Sequence, residues 1–132
     1  MTCSKYRNQA NFNHKLAHES REAFPDWAVT ICFYTALHLV ENFACERAVD
    51  IGGYSQRSPH DARRLYVRDL ARDLNNRNLR IVYEELERES KRSRYLKDLD
   101  MNAMDYYQQS QNKSKVTKAF QNLQIITGLL SN

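Results

Sequence analysis

The fold of this chain is decided by an uncharged run of fourteen residues, Trp27-Ala-Val-Thr-Ile-Cys-Phe-Tyr-Thr-Ala-Leu-His-Leu-Val40. A helix through this run is apolar on nearly every side, whereas a surface helix has one apolar stripe. The run therefore predicts the buried central helix of a helical bundle. It is too short to cross a bilayer, so we expect no membrane partner. Tyr34 and His38 lie one turn apart in this helix, and buried polar groups need partners, so these two residues are the first candidates for a site.

Length and composition agree with one helical domain over residues 1–132. A chain of this length can form a single core, and three glycines with two prolines are too few for the turns of a sandwich or barrel. The odd number of cysteines predicts no disulfide framework, and Cys32 fits a buried apolar position. No apolar leader follows Met1. We therefore expect a cytoplasmic protein.

Apolar spacing and turn residues predict the other helices. Ser58, Pro59 and Asp61 fit the cap and first turn of the third helix, which follows a loop containing Gly52-Gly53. We predict helices over residues 11–23, 26–48, 58–74, 77–94 and 113–130, with Pro25 just ahead of the second, a frayed segment over 1–10 and a partly ordered connection over 95–112. The predicted apolar face of the first helix is Phe12, Leu16, Ala17, Ser20 and Ala23. The predicted shared core includes Tyr34, Leu37, Val40, Leu65, Leu86, Phe120 and Leu123.

These elements predict an all-α fold, an up-and-down antiparallel bundle of four to five helices, because short connections join long amphipathic helices. The last helix has Ile125 and Leu129 beside its main apolar stripe, so its apolar face is wide. A wide face of this kind indicates a second subunit, and we expect a homodimer.

Several motifs resemble one family, the HEPN domains, which are small helical bundles common in prokaryotes. The segment Phe33-Tyr34-Thr-Ala-Leu-His38-Leu-Val-Glu41 is similar to the aromatic-small-His-Glu central helix of that family. The loop glycines, His60 and Ser93-Arg94-Tyr95 then follow in a similar order. The resemblance covers residues 24–96. It implies a four- or five-helix bundle, frequent homodimers and, in the catalytic branches, RNA cleavage.

The chain departs from the catalytic branches at one motif. Those members carry an arginine and a histidine separated by four to six residues, late in the domain, and no histidine follows His60 here. The nearest similar spacing is Arg7 to His14, at the opposite end, so these two are the weak catalytic candidates of a metal-independent endoribonuclease. The resemblance thus favours a non-catalytic accessory domain that binds nucleotide or RNA, in a prokaryotic stress or defence system with a partner protein encoded nearby.

A candidate binding site combines residues from three predicted helices: Tyr34, His38, His60, Arg64, Arg94 and Tyr95. In an antiparallel bundle these side chains can meet and form a polar pocket in which a guanidinium binds phosphate. The alternative is that Tyr34 and His38 are ordinary core residues, each satisfied by the other or by a backbone carbonyl. In that case the chain is a purely structural or adaptor bundle.

Two further patterns have a functional and a structural interpretation. His14 and His18 lie one turn apart and are weak metal candidates, with Glu22 on the same face and His38 and His60 available from other helices. No metal-binding motif accompanies them, so we expect neither a metal nor a cofactor. Arg64, Arg68 and Arg72 form a cationic stripe that can follow a phosphate backbone, but acidic residues interleave with it and favour ion pairs on a solvated face.

Overall fold

The computed structural model describes residues 2–131, and within this range it contains α-helices and no β-strand. The predicted all-α class is therefore confirmed. The helices are α1 (Ser4–Ser20), α2 (Pro25–Glu46), α3 (Pro59–Asp73), α4 (Asn78–Tyr95), α5 (Ala103–Gln108) and α6 (Lys113–Leu130). Two 3₁₀ turns, Ile51–Tyr54 and Ser110–Asn112, lie in the connections before α3 and before α6.

Helix α2 is the centre of the bundle. Fourteen of its 22 side chains are buried, on nearly every side of the helix. Cys32 is fully buried, and this burial raises the pKa of its thiol to about 12. Among the described residues, α2 alone is long and apolar enough for a membrane span, but 72% of its apolar window is buried inside the bundle. The core helix of a bundle has the same length and composition.

Contacts along the chain show that α1, α2, α4 and α6 alternate in direction. Arg7 of α1 lies 3.8 Å from Glu46 at the end of α2. The Ser93 hydroxyl near the end of α4 donates to the Asp26 carbonyl at the start of α2, at 2.8 Å. Asn122 of α6 donates to Glu85 of α4, also at 2.8 Å. These contacts confirm the predicted up-and-down bundle.

Helix α3 begins as predicted. The Ser58 hydroxyl accepts a hydrogen bond from the Asp61 backbone amide at 3.0 Å, and Pro59 occupies the first turn, where its missing amide costs nothing. The helix packs on α4 and on the preceding 3₁₀ turn, where the rings of Tyr54 and Tyr66 lie 5.6 Å apart. This start fixes the position of the polar side chains in the first turns of α3.

The predicted apolar face of α1 is confirmed at Ala17 and wrong at Phe12, Leu16 and Ala23. Ala10 and Ala17 are its buried residues, whereas Phe12 is 62% exposed and Leu16 is 37% exposed. Small alanines on the facing sides bring the two helix backbones close together, with Ala28 of α2 also fully buried. The helix also begins at Ser4, so most of the segment expected to be frayed over 1–10 is helical, from Ser4 onward. Met1 lies outside the described residues.

The shared core is confirmed with one exception. Leu37, Val40, Leu86, Phe120 and Leu123 are buried, and Tyr34 packs against them while half-buried. Leu65 is only half-buried and is not part of the core. The buried stripe of α3 is displaced from the predicted one, and its members are Ala62, Tyr66, Val67, Leu70 and Ala71.

The predicted connection over 95–112 contains the short helix α5. Leu96 ends α4 in the left-handed conformation (φ 56°), which turns the chain out of the helix. Tyr107 of α5 is buried and donates to a Glu89 carboxylate oxygen at 2.7 Å. Helix α6 then spans residues 113–130, as predicted. Its extra apolar residues, Ile125 and Leu129, pack against the core and are partly buried.

The cysteine prediction is wrong. A disulfide joins Cys3 to Cys45, two residues that are 42 positions apart in sequence. The antiparallel packing of α1 on α2 places them opposite each other, with their Cα atoms 5.7 Å apart. Such a pairing depends on which helices are neighbours, and the number of cysteines does not reveal it.

Candidate anion-binding site

Three helices bring five of the six predicted binding residues to one place. Tyr34 comes from α2, His60 and Arg64 from the first two turns of α3, and Arg94 and Tyr95 from the last turn of α4. The cap at Ser58 sets the start of α3, and the Ser93–Asp26 hydrogen bond ties the end of α4 to the start of α2. We define the Arg94 cluster as Tyr34, His60, Arg64, Glu87, Arg94 and Tyr95.

The guanidinium of Arg94 lies between two tyrosines. Its Nη1 donates to the hydroxyl of Tyr34 at 2.8 Å and to that of Tyr95 at 3.2 Å, and its Nε donates to the Ser90 hydroxyl at 3.1 Å. The Arg94 guanidinium carbon is 5.4 Å from the Tyr34 ring centre and 4.7 Å from that of Tyr95, so cation–π attraction adds to these bonds. The side chain is held on both sides, and its planar fork is fixed in direction.

No carboxylate neutralises Arg94. Within the part of the chain that the structure describes, its side chain forms hydrogen bonds only to hydroxyl groups and takes part in no ion pair. Tyr95 beside it is 68% exposed, so the site is open to solvent. A fixed, uncompensated guanidinium of this kind is suited to a carboxylate or phosphate ligand.

Arg64 is placed differently from Arg94, because two carboxylates already bind it. Its Nη1 donates to Glu87 Oε2 at 3.0 Å, and its Nη2 donates to Asp61 Oδ1 at 2.6 Å. The hydrogen bond to Asp61 is the main cause that raises the pKa of Arg64, and the same bond lowers the pKa of Asp61. Arg64 therefore stabilises the cluster and has less capacity for an added anion.

Glu87 is the residue of the cluster that the sequence interpretation missed. Its side chain is only 6% exposed. Its Oε2 accepts a hydrogen bond from Arg64 and lies 3.9 Å from His60 Nδ1. Position 87 lies four residues after buried Tyr83 and seven before Arg94, so it falls on the buried face of α4. An acidic residue on that face was the available signal in the sequence.

His60 is held largely in its neutral form. Burial lowers the pKa of its imidazole, and Arg63, Arg94 and Arg64 lower it further, while Glu87 opposes them. Its Nδ1 is buried without a hydrogen bond in the structure. A neutral imidazole in this place is a polar wall of the site and adds no positive charge.

His38 does not join the Arg94 cluster. It lies one turn beyond Tyr34 on α2, next to the ion pair of Arg63 and Glu41, whose atoms are 2.8 Å apart. Burial lowers the pKa of His38, Glu41 opposes this effect and Arg63 adds to it. Its Nδ1 is buried and has no hydrogen-bond partner in the structure. The prediction that His38 shares the pocket with Arg94 has no contact to support it.

The weak catalytic candidates lie apart from the Arg94 cluster. Arg7 lies beside Glu46 at the far end of α2. His14 packs edge-on against His18, with ring centres 4.7 Å apart, and His18 in turn packs on Phe120 at 4.7 Å. Arg7 and His14 are two turns apart on α1 and have different neighbours. No observed contact aims them at a common point.

The histidines do not assemble a metal site. His14 and His18 face α6, whereas His60 lies near Phe33 and Glu87 on another side of α2. Within residues 2–131 no group of three or more His, Cys, Asp or Glu side chains is placed to hold a metal ion. Burial, followed by the charge of His18, lowers the pKa of His14.

The cationic stripe of α3 is largely ion-paired. Arg68 and Arg72 both lie within salt-bridge distance of Asp69, at 3.5 and 2.8 Å, as Arg64 does with Asp61. On α4, Arg80 pairs with Glu84 at 2.8 Å. These pairs agree with the solvated-face interpretation and make Arg94 distinct among the arginines near the site.

A cavity of about 660 Å³ lies beside the second half of α2 and shares no lining residue with the Arg94 cluster, although Pro59 in its wall directly precedes His60. Its lining includes Tyr6 from α1, Cys45 from α2, the 3₁₀ turn and the start of α3. Arg57 and Arg63 lie at its edge, but each has a carboxylate partner, Asp61 and Glu41 respectively. The cavity offers space, whereas the Arg94 cluster offers uncompensated charge.

Comparison of the chain with known proteins found no family model, no curated protein and no solved structure that matches it. The resemblance to HEPN domains stays a prediction that depends on the motifs quoted above. The functional argument therefore depends on the geometry of the site.

Proposed function

We propose that this protein is a non-catalytic binding domain for the phosphate groups of a nucleotide or of RNA. The observation that carries the proposal is the Arg94 guanidinium, which two tyrosine hydroxyls orient and no carboxylate neutralises. A fixed guanidinium can donate two parallel hydrogen bonds to phosphate, and charge-assisted bonds of this type are about twice as strong as neutral ones.

Two exposed aromatic residues on the helices that meet at Arg94 support a ligand that contains a base. Tyr95 is 68% exposed and lies against Arg94, and Trp27 is 58% exposed. Trp27 directly follows Asp26, whose carbonyl accepts the hydrogen bond from Ser93, so the two residues belong to the chain segments that this bond joins. Every nucleobase has a flat face that can stack on such a ring. Charge from Arg94 and stacking surface from the two rings together favour a nucleotide over inorganic phosphate.

The absence of catalysis is part of the proposal. Arg7 is paired with Glu46, and His14 packs on His18. The chain also lacks the late Arg-to-His motif on which the ribonuclease alternative depends. Purified protein incubated with RNA in the absence of metal should leave the RNA intact. Cleavage that is lost on His14→Ala and kept in Arg94→Ala would overturn this part.

Ligand binding can be followed through the protein's own fluorescence, because Trp27 is its one tryptophan. We expect ATP, and a short single-stranded RNA, to change the Trp27 emission with an affinity that falls as salt is added. Arg94→Ala should weaken binding roughly tenfold or more, since a hydrogen bond to a charged group contributes about 1.5–3 kcal/mol. Arg94→Lys should recover part of the loss, because it restores the charge without the planar fork.

Arg72→Ala is the matched control for charge. It removes one positive charge from an arginine that is 73% exposed, paired with Asp69 and outside the Arg94 cluster. Its effect on affinity should be under about twofold, as expected for a distant, screened charge. Equal affinities of wild type, Arg94→Ala and Arg72→Ala for both ligands would refute the proposal. Arg64→Ala should weaken binding less directly, by loosening the residues that support Arg94.

The proposal includes self-association and the cellular context that the HEPN resemblance implies, namely a cytoplasmic prokaryotic stress or defence system with a partner protein encoded nearby. The exposed apolar side chains Phe24 and Leu96 support a contact with a second copy, more than the partly buried Ile125 and Leu129 do. Sedimentation equilibrium at micromolar concentration should show a mass above the 15.6 kDa of one chain. A single-chain mass throughout would remove the homodimer and leave the binding site unaffected.

A further inference from the structure

The first turns of α1 are poorly stabilised by their own sequence. The helix has no side-chain hydrogen bond at its N-cap and no acidic residue in its first turn, while Lys5 and Arg7 place positive charge near its positive end. The ion pair of Arg7 with Glu46 spans 3.8 Å between side chains that are 38% and 41% exposed. An exposed pair of that length contributes little to stability.

The Cys3–Cys45 disulfide is therefore the strongest link between these turns and α2. It joins the residue before α1 to the last turn of α2, across 42 positions of sequence. A covalent link over such a loop removes much of the freedom of the unlinked chain. Both cysteines are partly exposed, so a thiol in solution can reach the bond. Exposed disulfides are the ones that exchange readily.

The same turns form one wall of the 660 Å³ cavity. Tyr6 of α1 and Cys45 of α2 line it on one side, and the 3₁₀ turn with the start of α3 lines the other. The floor is apolar, with Ala44, Val49 and Ala62 among its residues. Whatever holds Tyr6 against the end of α2 therefore also sets the opening of this cavity.

We propose that Cys3 and Cys45 are a site of reversible thiol oxidation and act as a latch on this cavity. With the bond formed, the first turns of α1 lie against α2 and Tyr6 closes the cavity wall. When two molecules of a small thiol reduce the bond, two protein thiols and one small disulfide form, and the first turns of α1 separate from α2. Oxidised glutathione, or another small disulfide, accepts the two electrons in the reverse step and is released as two thiols.

The third cysteine gives an internal control. Cys32 is fully buried in α2, and burial raises the pKa of its thiol, which keeps it protonated and unreactive. Alkylation of the native protein should therefore label no cysteine in oxidised glutathione and two in reduced glutathione. After unfolding, the oxidised sample should show one free thiol and the reduced sample three.

Hydrogen exchange tests the latch itself. In oxidised glutathione the hydrogen-bonded amides within residues 4–9, from Tyr6 to Gln9, should be protected, and in reduced glutathione they should exchange roughly tenfold faster or more, as expected when a loop constraint of this length is lost. The amides of α6 that exchange by local opening should not change, because the bond does not touch that helix; amides that exchange only by global unfolding report the lost loop constraint and are left out of the comparison. Cys3→Ser and Cys45→Ser should each give the fast exchange in both buffers. A dye that fluoresces on apolar surface should bind more strongly to the reduced wild type.

Three results would overturn the latch. Cys3 and Cys45 that stay free in oxidised glutathione would show that the bond does not form. Equal exchange at residues 4–9 in both buffers would show that the bond does not hold the helix. Faster exchange on reduction at the α6 amides that exchange by local opening would show a global staple instead of a local latch. Nucleotide binding through Arg94 is tested separately, since no residue of the Arg94 cluster lines this cavity.

Discussion

The two ends of the central helix α2 are held in contrasting ways. In its first half, non-covalent contacts with α4 hold it, through the Ser93–Asp26 hydrogen bond at its start and the contact of Arg94 with Tyr34 near its middle. At its end, a disulfide to α1 holds it, next to an ion pair of half-exposed side chains. The first half depends on non-covalent contacts that form together, whereas the end, besides its buried Phe43 and Ala44, has one covalent bond that a reductant can open.

The contrast extends to charge. In the first half of α2, tyrosine hydroxyls orient the Arg94 guanidinium, and none of the described carboxylates forms an ion pair with it. Its positive charge is therefore available to a ligand. At the end, Glu46 accepts a hydrogen bond from Asn42 Nδ2 at 3.1 Å and forms an ion pair with Arg7. The local charges are therefore paired with each other within the protein. One end is therefore suited to bind an anion, and the other to change its structure with the redox state.

The largest expected effect comes from the core that joins both ends. Leu37 lies in the middle of α2 and is 5% exposed, so Leu37→Ala should lower the free energy of unfolding by roughly 2–5 kcal/mol. Leu74→Ala, at a leucine that is 39% exposed, should cost less than about 1 kcal/mol. Urea denaturation under oxidising conditions measures both. Equal costs would contradict the placement of Leu37 in the core.

Sequence periodicity predicted the helices correctly where large apolar side chains form the packed face. The bounds of α6 and the cap of α3 were predicted correctly, since Val116, Phe120 and Leu123 mark one face and Ser58 is a strong cap. Periodicity failed for α1, because that helix packs through Ala10 and Ala17 and leaves its larger Phe12 exposed. A search for large apolar residues selects the wrong face when close approach of two helices is the source of stability.

The candidate site was predicted in part for a related reason. Tyr34, His60, Arg64 and Arg94 meet because helical spacing and antiparallel order are enough to bring them together. Two facts depend on details that spacing does not contain. One is that Glu87 neutralises Arg64 and leaves Arg94 unpaired, and the other is that Cys3 lies opposite Cys45. Both are set by which side chains face each other after the helices pack.

Glu87→Gln should produce the next largest effect, at the start of α2. The carboxylate is 6% exposed and bound by Arg64, so the neutral amide leaves a partly buried guanidinium with Asp61 alone. We expect a loss of about 1–3 kcal/mol in the free energy of unfolding, measured in urea. Glu84→Gln removes an equivalent charge that is 39% exposed and pairs with Arg80, and it should cost under about 1 kcal/mol. If both variants cost the same, Glu87 does not support the cluster.

Ser93→Ala tests the link between α4 and α2 more gently. It removes the hydroxyl that donates to the Asp26 carbonyl at 2.8 Å, and one such hydrogen bond contributes about 1 kcal/mol. The variant should also loosen Arg94 and raise the dissociation constant for ATP, while protection of residues 4–9 stays unchanged. Ser114→Ala, at an exposed serine on the surface of α6, is the matched control. Loss of protection in α1 would contradict the independence of the two ends.

The smallest expected effect is a pH dependence that belongs to the start of α2. Burial and the arginines Arg63, Arg94 and Arg64 lower the pKa of His60 below its ordinary value of 6.5, against the opposing charge of Glu87. The histidine therefore takes up a proton more readily in the unfolded chain than in the folded protein. For this reason stability falls as the pH drops below about 6.5. His60→Gln should reduce this fall in urea midpoints measured between about pH 7.5 and pH 5.5. Part of the fall should remain, because the pKa values of His14 and His38 are lowered as well. Arg72→Ala should leave the change of the urea midpoint with pH as it is in the wild type. If His60→Gln also leaves this change as it is in the wild type, then His60 contributes no more to it than an exposed histidine would.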